Sequence, residues 1–177
     1  MVCFRTLLLF PFTLLLLRPA IAQDTAIVRS EQEAQAWLAR PNRTSFDTSG
    51  LALLNDLTVM YMIRNEGLRA LEVARSAVRE AEHMLSHCEA AEEPFIRERL
   101  CHSYSLFIPL LRQQMAFDQA AEIAHRYIHE AKRTKNNSAI ASAYGQLARC
   151  FEQLGDPASS LPLRRTEMAY ARKASGI

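Results

Sequence analysis

Five histidines and four cysteines carry most of the chemistry available to this 177-residue chain, and their spacing decides what they can do. His83 and His87 are four apart, as are His125 and His129. On a helix that spacing puts two imidazoles on one face, where they can share a metal ion. Neither pair has a third ligand close in sequence. His87-Cys88 and Cys101-His102 form a further cluster across one connection, but the expectation for all of them is solvent-facing histidine, with no metal and no cofactor. Five glycines with no Gly-rich loop exclude the usual phosphate cradles. G-x-S-x-G and H-E-x-x-H are both missing, so no catalytic constellation is legible and the reading is of a non-enzyme.

The N-terminus narrows where the chain works. Arg5 precedes an apolar run from Leu7 to Leu17, followed by Pro19-Ala20-Ile21-Ala22. That is the form of a secretory signal peptide over residues 1–22, cleaved before Gln23, for export to the periplasm or exterior. The run is shorter than the roughly 20 residues that a membrane span needs, and no later run is long enough. Beyond residue 22 the basic and acidic residues balance at nineteen each, which gives no electrostatic case for a nucleic-acid partner. Cys88, Cys101 and Cys150 remain, an odd count with irregular spacing and thus no disulfide framework. A Cys88–Cys101 bridge is left open.

The elements that must position these residues are helices. Ala, Leu, Glu, Arg and Gln dominate, and no stretch alternates long enough for a strand. "SEQE" (Ser30 to Glu33) reads as a capping box opening a helix with Ala34, Trp37 and Leu38. Pro41 to Gly50 reads as a loop, which makes residues 23–49 a leading helix and loop. Glu92 to Pro94 and Asn136 to Ser138 mark further helix starts.

From residue 50 onward one pattern recurs. Leu54, Leu57, Thr58 and Tyr61 form an apolar stripe; Tyr104, Phe107, Ile108 and Leu111 repeat it; Tyr144, Leu147, Ala148 and Phe151 repeat it again. Sixteen positions after each stripe begins stands a small residue: Ala70, Ala120 and Ser160. A second stripe follows in two blocks, Ala70, Ala74, Ala77, Val78, Ala81 and Ala120, Ala124, Tyr127, Ile128, Ala131. In the last block Arg164 and Glu167 interrupt it, so that helix is expected to dock least tightly. Pro109, inside the first helix of the middle block, is expected to kink or end it.

This pattern resembles the tetratricopeptide repeat, most closely in "YGQLARCFEQLGDPASS", with Leu154-Gly155-Asp156 at the turn. The blocks are spaced 50 and then 40 residues apart, unlike the family's regular period, and the usual closing proline is missing. The resemblance implies an all-α, right-handed α-solenoid of about three hairpins (50–91, 94–133 and 137–175) over residues 50–177, preceded by one extra helix. It implies a protein–protein interaction scaffold that binds a partner's protein or peptide segment in a concave groove. Groove positions would be Asn55, Val59, Met62, His102, Ser105, Arg112, Arg149 and Glu152. Repeats that grip an acidic peptide C-terminus present Lys and Asn together, and only Asn55 fits that here. Such arrays are also similar to sensory front ends of bacterial histidine kinases and regulators. The chain ends in "RKASGI" with no polar capping helix, which suits a longer signalling protein as the alternative. A small helical metal binder is the second alternative, resting on the histidine pairs.

Overall fold

The computed structural model describes residues 26–40 and 48–176. The expected signal peptide, its cleavage site and most of the Pro41–Gly50 loop lie outside the described residues. Contacts divide the chain into two compact units, residues 1–40 and 41–177. All regular structure among the described residues is helical.

In the first unit, α1 spans residues 26–38. It starts earlier than the capping box requires, so Ser30 lies inside the helix and caps nothing. Ala26, Ile27 and Val28 are compatible with helix, and Ile27 shares one face with Ala34 and Trp37. Glu33 pairs one turn back with Arg29 at 2.9 Å instead of reaching the Ser30 backbone.

The second unit runs α2 (Ser49–Ile63), α3 (Gly67–His87), α4 (Glu93–Gln113), α5 (Phe117–Thr134), α6 (Asn137–Gln153) and α7 (Pro157–Ser175). The recurrence in sequence becomes a recurrence of backbone geometry at three turns. Asn65, Met115 and Gly155 take left-handed φ values of 60°, 57° and 77°. After each, the next N–H reaches back over the helix end: Glu66 to Tyr61 O at 2.9 Å, Ala116 to Leu111 O at 3.0 Å, Asp156 to Phe151 O at 2.9 Å. This six-to-one bond is the Schellman closure, which satisfies carbonyls that a helix end otherwise orphans. The following helix then opens on a common bond, Ala70, Ala120 and Ser160 donating to Glu66, Ala116 and Asp156.

From α2 to α7 each helix packs on the next in sequence, α2 also meets α4, and α4 meets α6. Small residues permit this approach: Ala70, Ala77, Ala81, Ala120, Ala124 and Ala131 are wholly buried. Against them stand Leu51, Leu54, Leu57 and Tyr61 of α2 and Ile96, Leu100, Tyr104 and Ile108 of α4, all buried.

Pro109 does not end α4, which runs on to Gln113. The proline costs the helix the amide that would have bonded Ser105 O, but Ile108, Leu110 and Leu111 are buried around it and hold the turn. Likewise α7 continues past Pro162.

Candidate partner-binding cleft

Helices α4 and α6 leave a cleft of about 920 Å³ between their N-terminal halves, closed behind by the end of α5. From α4 come Glu93, Arg97, Glu98, Cys101, His102 and Ser105; from α5 Tyr127, Arg133 and Thr134; from α6 Ser138, Ala139 and Ser142. The helical period decides this wall: His102 and Ser105 are three apart, as are Glu98 and Cys101, one turn earlier. The opposite wall is the start of α6. There Asn136 caps the helix, its side-chain oxygen accepting from the Ser138 and Ala139 amides at 3.0 and 3.2 Å.

A buried ion cluster fixes the floor. Arg97 is only 3% exposed and pairs with both Glu93 and Glu130. Glu93 also receives Arg133 at 2.9 Å, and Glu130 receives His129 Nδ1 at 2.7 Å. A guanidinium this deep is tolerable because two carboxylates share it; removing both would leave a buried charge without compensation. The cluster therefore locks α5 to α4 at the cleft.

The cleft offers hydrogen-bonding groups, and its thiol is not activated. Burial pushes the Cys101 thiol up to about 12, with Arg97 opposing only in part, so the sulfur stays a protonated, inert thiol. Burial raises Cys150 as well. Cys88, Cys101 and Cys150 are all free thiols. Tyr127 is raised by burial, against an opposing hydrogen bond with Ser142 that ties α5 to the far wall. The Ser138 hydroxyl and the His102 ring stand at the surface of the cleft, while the Ser105 hydroxyl donates to His102 O at 2.7 Å, Ser142 bonds Tyr127 and Arg133 bonds Glu93, each with hydrogen-bonding capacity left over.

A second, smaller cleft of about 360 Å³ lies among α3, α4 and α5. There the Tyr104 hydroxyl donates to Glu82 at 2.6 Å. Burial, and then that carboxylate, raise the Tyr104 pKa. Arg126 stands 3.5 Å from the same carboxylate, so the cleft's polar groups are mostly spent on one another.

The structure divides the expected groove residues. His102 and Ser105 face the large cleft together. Arg112, further along α4, crosses to α6, donating to Gln153 at 2.5 Å and Gln146 at 3.4 Å. Val59, Met62 and Arg149 are half-buried and lie outside the cleft. Two positions are occupied within the fold. Asn55 is 2% exposed in the α2–α4 contact, accepting from the Ser103 hydroxyl at 3.0 Å. Glu152 is gripped by α7: Arg164 donates to both its oxygens at 2.8 Å and Ser160 donates at 2.9 Å. These bonds hold the Glu152 carboxyl down at about 2.

Sequence reasoning passes over Arg97, Arg133, Ser138 and Ser142. A signal for Ser142 exists: it follows His102 at the offset that separates Tyr104 from Tyr144. The Glu93–Arg97 spacing is a helical ion pair, but nothing in sequence brings Glu130 to it. Among the described residues no group of three or more His, Cys, Asp or Glu is arranged to hold a metal, and the Cys88 sulfur turns to Leu85 O at 3.4 Å. No described helix is long and apolar enough to cross a membrane. Comparison with protein-family models, with curated proteins and with solved structures finds no match to this chain.

Proposed function

We propose that this chain is an exported, non-enzymatic tetratricopeptide-like α-solenoid that holds a segment of a partner protein in the cleft between α4 and α6. One observation carries the reading. The same left-handed turn and Schellman closure occur in all three hairpins, and the first helices α2, α4 and α6 touch in succession. Stacked hairpins of that kind present their first helices along one continuous face, which is where such arrays bind partners.

The cleft's composition describes the segment. Hydroxyls, an imidazole and a guanidinium line it, and Tyr127 contributes an edge of its ring. A partner backbone in extended form supplies the donors and acceptors that match this lining, and an apolar side chain would rest on Tyr127. The ion cluster beneath gives a pre-ordered surface, which lowers the entropy cost of binding.

Site-specific photocrosslinking tests the proposal. A photoreactive residue at position 105, inside the cleft, should trap one discrete polypeptide in the native compartment. The same group at position 122, exposed on α5, should not. Equal trapping at both positions, or none at position 105, would contradict a role for the cleft.

A further inference from the structure

The last turn of α3 carries an arrangement that the scaffold reading does not use. His83 and His87 are both exposed on this turn, and their ring centroids lie 4.5 Å apart with planes 32° from parallel. The two rings therefore already stand side by side over one patch of solvent.

Their nitrogens are unequally engaged. His87 Nδ1 lies 2.8 Å from the His83 carbonyl oxygen, one turn back. The Ser86 hydroxyl donates to that same carbonyl at 2.8 Å and stands 2.8 Å from His87 Nδ1. A carbonyl only accepts, so Nδ1 must carry the proton in this bond, and the neutral His87 ring keeps its lone pair on Nε2. Orientation by a backbone carbonyl behind the ring is how metal-ligating histidines are commonly fixed. The His83 ring nitrogens hold no hydrogen bond among the described residues, and its ring can turn to meet an ion.

The ring separation suits one ion. An imidazole nitrogen binds a first-row divalent metal at about 2.1 Å, which places the ring centroid about 3.2 Å from it. Two such rings at right angles around one metal have centroids about 4.5 Å apart, the spacing seen here. His125 and His129 have the same sequence spacing but make no ring contact, so they lack this preset separation. The chain thus contains its own control.

We propose that His83 and His87 form a surface site for a borderline divalent transition metal, held by two imidazoles and completed by water. Imidazole favours Ni²⁺, Cu²⁺ and Zn²⁺ over the hard cations. The bound ion would clip residue 83 to residue 87 and hold the end of α3 against fraying. This end leads into the connection whose Ala90 lines the large cleft beside Pro94 of the first turn of α4.

The test is calorimetric titration of the full chain with Ni²⁺ alone, which does not oxidise the free thiols. One equivalent should bind. Since even second-shell partners are worth 10–100-fold in affinity, His83→Gln and His87→Gln should each weaken binding by at least about tenfold. His125→Gln combined with His129→Gln should leave binding unchanged. Ni²⁺ should also slow amide exchange over residues 84–87 in the parent and not in His83→Gln. Both rings are exposed, so the variants retain the fold. Absence of saturable binding, binding indifferent to either single substitution, or binding lost with the distant pair would each overturn the proposal.

Discussion

Helices α5 and α7 occupy the same place in successive hairpins, and the structure holds them by different physics. In α5, Ala120, Ala124, Tyr127, Ile128 and Ala131 are all buried against neighbouring helices. In α7 only Ser160 is buried. Arg164 stands where α5 has Ala124, and Glu167 where α5 has Tyr127. Those side chains close an ion network on α6: Arg164 pairs with Glu152 and, at 2.9 Å, with Glu167. Gly145 makes room for it, since a Cβ there would collide with the Glu167 carboxylate. The partner helix fades in parallel, with Tyr144 and Phe151 half-buried where Tyr104 and Leu111 are buried. One turn geometry thus supports both an apolar seam and a polar latch, so the hairpin shape does not depend on how its second helix is packed.

Exchanging residues between the two helices breaks the comparison most strongly. Ala124→Arg, which gives α5 the residue of α7, buries a cation where the middle hairpin has Arg112 in place of Glu152. It should cost about 3 kcal/mol or more, measured by urea denaturation. Arg164→Ala should cost far less, because exposed ion pairs contribute little, and its effect should shrink in high salt. A milder version is Ala120→Leu, which overpacks the α4–α5 seam at a position with no exposed surface. It should cost roughly 1–3 kcal/mol, and a variant as stable as the parent would show that the seam is not close-packed there.

Smaller changes sharpen the comparison at the turns. Met115 takes the left-handed conformation that Gly155 takes in the last hairpin, with φ values of 57° and 77°. A side chain there costs about 1 kcal/mol, so Met115→Gly should stabilise and Gly155→Ala should destabilise, each by about that amount. Ala116 gives α5 no side-chain cap, whereas Asp156 accepts from the Ser159 amide at 3.1 Å to cap α7. Ala116→Asp should therefore stabilise by about 0.5–1 kcal/mol, seen as a raised urea midpoint with an unchanged slope.

What was legible in the sequence follows from range. Helix identity and the three turns were readable because stripes and caps are written within one or two turns of chain. Buried positions in the first two hairpins follow directly from the apolar stripes. Ser30 misled because a capping box describes a local possibility, and apolar residues upstream extended the helix past it. Pro109 does not end α4 because its lost hydrogen bond is outweighed by the buried side chains on either side. The cleft was only half visible. His102 and Ser105 could be placed by repeat position, but the Arg97–Glu130 pair joins two helices, and nothing local marks it. Asn55 and Glu152 show the same limit: both were placed on an open face, and each is engaged by a residue from another helix.

The latch also predicts a pH dependence for α7. Arg164, and then Ser160, hold the Glu152 carboxyl at about 2, well below its usual 4.5. A group whose pKa is depressed on folding contributes stability above its unfolded value and loses it as pH falls through the folded one. The contribution to α7 should thus be complete above about pH 4.5 and fade toward about pH 2.

The most direct test is amide hydrogen exchange on the full chain, comparing residues 120–131 with residues 163–172 as pH is lowered and after correction for intrinsic exchange. Local opening tracks buried apolar contact. We expect α7 to open more readily than α5 at neutral pH, α7 to lose protection as the pH drops from 4.5 toward 2, and Arg164→Ala to remove that loss. Equal protection in the two helices at neutral pH, or α7 protection that ignores both pH and Arg164, would contradict the claim that a polar latch, rather than small-residue packing, holds α7.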